Sequence, residues 1–74
     1  MKVTDHPAFK RLCLQLSLEV MSPKGTTFSD VMTFIDEIKK AGDLEGKTEV
    51  KNALITWNSL GEDAAALLEV LKKL

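Results

Sequence analysis

The side chains with nucleophilic or acid–base chemistry are few, and they sit together near one end, in "DHPAFKRLC". Asp5 beside His6 imitates an acid–base pair, and Cys13, roughly one to two helical turns on, would be the nucleophile. What such chemistry needs is missing. No third group is placed to orient the imidazole, and adjacent residues near a chain end, where fraying is expected, lack the shell that fixes catalytic geometry. His6 therefore reads as a surface histidine. Cys13, within "RLCLQLSL", reads as a small buried apolar residue. The expectation is no enzyme, with no catalytic residue and no cofactor.

Metal chemistry fares no better. Zinc wants four nitrogen or sulfur ligands at close spacing, and the chain owns one histidine and one cysteine. The acidic run "DLEGKTE" lacks the alternating oxygen ligands and closing glutamate of a calcium loop. Gly42 and Gly46 are isolated stops, not a phosphate-cradling loop. Asp36 and Glu37 are neighbours on the exposed side of a helix, where solvation is the ordinary role. No metal site is expected.

The net charge of −1 gives no drive toward nucleic acid or acidic membranes. The doublets Lys10–Arg11, Lys39–Lys40 and Lys72–Lys73 each fall near a helix end or exposed face with acids nearby. A helix-turn-helix reading would make "EVKNALITWNSL" the recognition helix, which offers a groove little beyond Lys51, asparagine and hydroxyl groups. No nucleic acid is expected. No apolar run approaches the ~18 residues that span a bilayer, so no membrane is expected either. A lone cysteine makes no internal disulfide, and "MKVTDHPAFKR" has charges and a proline where a signal peptide is apolar. A cytoplasmic location follows as an expectation.

The elements that position these groups are helical. With 45% apolar and 28% charged residues, the 74-residue chain is expected to fold as a single domain, residues 1–74. Asp5 is expected to cap a first helix with Pro7 in its first turn. Phe9, Leu12, Cys13, Leu16 and Val20 form one apolar stripe; Leu14, Leu18 and Met21 form a second. A helix apolar on two faces is expected to be central, covered from both sides. Pro23 and Gly25 end it. Thr27 and Asp30 approximate a capping box for a second helix whose stripe is Phe28, Val31, Met32, Ile35 and Ile38, and Gly42 stops it.

"DLEGKTEV" reads as a loop or short turn with Leu44 tucked inward. Lys47 or Thr48 opens a third helix, with Val50, Ala53, Leu54 and Trp57 on one face, and Gly61 closes it. Glu62 or Asp63 opens the last, with Ala64, Leu67, Leu68, Leu71 and Leu74 inward. Valine and isoleucine fall at helical spacing and no segment alternates like a strand. Short connections make successive helices antiparallel neighbours. The fold expected is all-α, a compact antiparallel bundle of four to six helices. Its core is Phe9, Leu12, Cys13, Leu16, Ile35, Ile38, Leu54, Trp57, Leu67 and Leu71.

The stretch "VKNALITWNSLGEDAAALLEVLKKL" resembles the end of a death domain. An apolar residue three before a tryptophan, a short link with glycine and an acid–alanine pair, and a leucine-rich last helix are met by Leu54, Trp57, Gly61, Asp63, Ala64, Leu67 and Leu71. Upstream, "FKRLCLQLSL" is similar to that family's W-K-x-L-A-x-x-L-x-L helix, with Phe9 in place of tryptophan and Cys13 of alanine. "FIDEIKK" is similar to its I-x-x-I helix through Ile35 and Ile38. An alternative alignment makes "FKRLCLQLSLEV" the first helix of a death-effector-like domain, without that branch's R-x-D-L signature.

The resemblance implies an interaction module that binds itself or another death-fold domain through charge-complementary faces, assembling a signalling or immune and cell-death complex. The alternatives are a small DNA-binding bundle and a helical inhibitor of one larger protein. Residues 1–24 hold four basic and two acidic side chains, a balance of +2; residues 28–46 hold two basic and five acidic, a balance of −3. The interface expected is Lys10 and Arg11 against Asp36, Glu37, Asp43 and Glu45. Trp57 is expected to cross the bundle centre, with Gly61 making a left-handed turn and Ala64, Ala65 and Ala66 letting the last helix approach the indole.

Overall fold

The computed structural model describes residues 1–25, 27–61 and 63–74. Among the described residues, four helices follow a short 3-10 turn at Val3–Asp5: α1 Pro7–Met21, α2 Thr27–Ala41, α3 Lys47–Leu60 and α4 Ala64–Lys72. The domain is all-α, at the lower end of the expected helix count. The one extended pairing among the described residues is an isolated parallel bridge between Lys2 and Glu45. The radius of gyration, 11.4 Å, matches the ~11 Å of a compact chain of this length.

α1 begins where Pro7 presets the backbone, but the cap is His6, not Asp5. Its extended backbone (φ −68°, ψ 138°) lets Nδ1 accept from the Ala8 amide at 3.0 Å. Asp5 is used up in the 3-10 turn one residue earlier. The start of the chain is not frayed, because the Val3 amide donates to the Glu45 carbonyl at 2.7 Å and the Glu45 amide to the Met1 carbonyl at 3.2 Å. Val3 is buried. Thr27, expected as a cap, is instead the first residue of α2 and is buried; the position before it lies outside the described residues. Asp63 caps α4 through the Ala65 amide at 3.0 Å.

α1 packs on α2 and on α4, and α4 packs on α3, while α2 and α3 barely touch. The bundle is thus a row, α2–α1–α4–α3, bent around a core but not closed. Leu12 and Leu16 of α1 and Leu67 and Leu71 of α4 are buried in the core, and Phe9 meets Phe34 edge-on with ring centroids 6.1 Å apart. Cys13, Ile35, Leu54 and Leu68 are half-buried, packed against this core.

The expected inward faces fail in three places. α1 is central, yet Leu14, Leu18 and Met21 are exposed, as is Val20 on the edge of the first stripe. On α2 the buried aromatic is Phe34, whereas Phe28 and Met32 stay exposed, because the buried stripe is Thr27, Val31, Phe34 and Ile38. Leu74 is exposed, lying past the end of α4.

Candidate protein-interaction surface

The open side of the row is a groove of about 810 Å3 between α2 and α3. Its floor is core, including Val31, Phe34, Ile38, Val50 and Trp57. Phe28, Met32 and Ile35 make the α2 wall; Leu54 and Ile55 make the α3 wall. Lys39, Asp43, Lys47, Glu49 and Lys51 ring its loop-side end. Lys47 Nζ donates to the Gly42 carbonyl at 3.1 Å. Its volume is at the upper end of ordinary ligand pockets, and its lining is mainly apolar.

Trp57 holds the far corner. It is 3% exposed, and its indole Nε1 donates to the Asp63 carbonyl at 3.1 Å. That same carbonyl accepts the Leu67 amide at 3.1 Å, so the indole clamps the first turn of α4. Gly61 reverses the chain with φ +96° and ψ 159°. This is not the left-handed turn expected but an extended region nearly closed to residues with a Cβ. Ala64 is buried, Ala66 half-buried and Ala65 exposed, so only part of the alanine run faces inward.

The charged residues expected at an interface are partly spent inside one molecule. Arg11 Nη1 donates to both Glu37 oxygens, at 2.9 and 3.2 Å, tying α1 to α2. With the two side chains 54% and 35% exposed, the pair is screened and worth little to stability. Its effect is on the surface pattern, because it joins the two faces that were expected to meet between molecules. Lys10, Asp36, Asp43 and Glu45 are exposed. Asp43 lies on the groove rim, and Glu45 takes part through its backbone in the bridge to the chain start.

One feature had no sequence expectation. Glu19 is 9% exposed, and its Oε1 accepts from the Lys24 amide at 2.8 Å and the Gly25 amide at 2.7 Å. This carboxylate organises the α1–α2 turn. The Cys13 thiol is half-buried and its pKa lies above the usual value because burial disfavours the thiolate. It has no nucleophile's environment.

Among the described residues no three His, Cys, Asp or Glu side chains converge as metal ligands, and no helix is long and apolar enough to cross a membrane. No protein-family model, curated protein or solved structure matches the chain.

Proposed function

We propose that the chain is a protein–protein interaction module that binds itself or another death-fold-like domain, bringing attached effectors together in a signalling or immune complex. The observation that supports it best is the groove between α2 and α3. Phe28, Met32 and Ile55 stay 55%, 43% and 59% exposed along its walls. A monomer gains nothing from such a concentration of exposed apolar side chains, whereas a helical partner would bury them.

The death-domain resemblance of the α3–α4 region and the uneven charge of residues 1–24 and 28–46 lend further support. The internal Arg11–Glu37 pair shifts the weight from charge toward apolar burial: charges orient the partner and raise the rate of encounter, while the groove holds it. The test is light scattering from micromolar to millimolar chain at low and physiological salt, together with NMR titration against purified death-fold domains. Concentration-dependent association, or resonance shifts at the groove, supports the reading. A chain that stays monomeric and shifts with none of those domains refutes it.

A further inference from the structure

Besides the groove, the described residues carry a second apolar feature. Leu14, Leu18 and Met21 stand 62%, 57% and 82% exposed along the outer face of α1. Their spacing is i, i+4, i+7, the anchor pattern with which an amphipathic helix enters an apolar groove. No residue of α1 lines the groove, so one molecule cannot satisfy both features with each other. We infer that the Leu14–Leu18–Met21 ridge of one copy seats in the α2–α3 groove of a second copy. This rests on the interaction-module reading and names its partner.

Length agrees with this occupant, and the groove rim includes two acids for its basic end. From Lys10 to Met21 is eleven residues, and from Phe28 to Lys39 on the groove wall is also eleven; both span ~16 Å. The outer face of α1 bears basic side chains, Lys10 and Arg11, the latter held by Glu37. With the start of α1 toward the loop-side end, Lys10 meets Asp43 and Glu49. Lys39 and Lys51 lay their stems along the apolar walls and keep their ammonium groups in water.

The three ridge and three groove side chains each expose roughly 100 Å2, so the contact removes about 600 Å2 of apolar surface and, with its rims, on the order of 1,200 Å2 in all. That is the lower bound for a specific interface, so association is expected in roughly the tens to hundreds of micromolar range. Ridge and groove are different surfaces. The contact is therefore heterologous, and each added copy presents a free groove or ridge to the next.

The experiment is sedimentation of the whole chain over a concentration series, with Leu18→Glu blocking the ridge and Ile55→Glu blocking the groove. Leu14→Glu and Phe28→Glu serve as second variants, and far-UV circular dichroism checks that each is folded. The parent should grow past a dimer as concentration rises. Each variant alone should associate at least tenfold more weakly, and an equimolar mixture of Leu18→Glu with Ile55→Glu should form a one-to-one pair that grows no further. A parent that stays monomeric or stops at a dimer overturns the inference. So does a variant that assembles like the parent, or a mixture that stays monomeric. If the parent associates and ignores both substitutions, or stays monomeric and binds another death-fold domain, the interaction-module reading survives without this contact.

Discussion

Replacing Trp57 by alanine removes the largest side chain of the core and the clamp on α4 together. At 3% exposure the indole buries ~200 Å2, worth about 5 kcal/mol at ~25 cal/mol per Å2. Measured deletions of large core aromatics cost about 3–5 kcal/mol, and that range is expected here. The lost hydrogen bond adds little, because the Asp63 carbonyl keeps the Leu67 amide at 3.1 Å. A 74-residue domain has ~4–11 kcal/mol in total, so the variant should lie near the edge of folding at room temperature. Each 1 kcal/mol moves the melting temperature of a domain this size by about 4–8 °C, giving an expected fall of at least ~12 °C. Far-UV circular dichroism is the assay, since the substitution deletes the only tryptophan. Trp57→Phe, which keeps a ring but loses the bond to Asp63, should lie between the two. Melting of Trp57→Ala within a few degrees of the parent would refute the placement of the indole in the core.

Glu19→Ala should destabilise by about 1–3 kcal/mol in urea titration, because two amides of the α1–α2 turn lose a charge-assisted acceptor. An unchanged midpoint would show that water serves the turn equally well. Gly46 has φ +88° and a Cβ there would lie 3.1 Å from Val3 Cγ1, whereas at Gly42, φ +85°, it would meet open space. Both alanine variants should lose about 1–2 kcal/mol to backbone strain, and Gly46→Ala should lose more. Equal losses would mean that Val3 yields freely. Cys13 should react with a thiol reagent several-fold more slowly in native buffer than in denaturant, its native rate still climbing as the pH passes 9, since burial raises its pKa. Equal rates in both would place the thiol in open solvent.

Helix positions were legible wherever backbone chemistry alone decides them. Pro7, Gly42, Gly61 and Asp63 act within a few residues of themselves, and all mark observed ends. Which face goes inward is settled by neighbours far along the chain, and there the pattern misleads. On α2, Phe28 and Phe34 lie on adjacent stripes, and the α1 ring of Phe9 selects Phe34. The two-faced pattern of α1 correctly made it central but could not reveal that its outer face has no neighbour. The groove was illegible for the same reason, since it arises from the failure of α2 to meet α3, a property of the whole row. The Arg11–Glu37 pair joins residues 26 apart, and Glu19 acts on backbone amides, which no side-chain pattern records.

The seam between α1 and α4 joins the first helix of the chain to the last, and it carries a large share of the core. Until α4 is present, the side of α1 that packs on it has no neighbour. A helical hairpin of α1 and α2 therefore completes only one of the two packing contacts of α1. Closing so long a loop is entropically slow for a small helical domain, and its reward arrives all at once. Folding should accordingly be all-or-none, with the amides of α1 and α4 exchanging with solvent at one common free energy. During synthesis, the same order leaves the α4-facing side of α1 uncovered until α4 has left the ribosome.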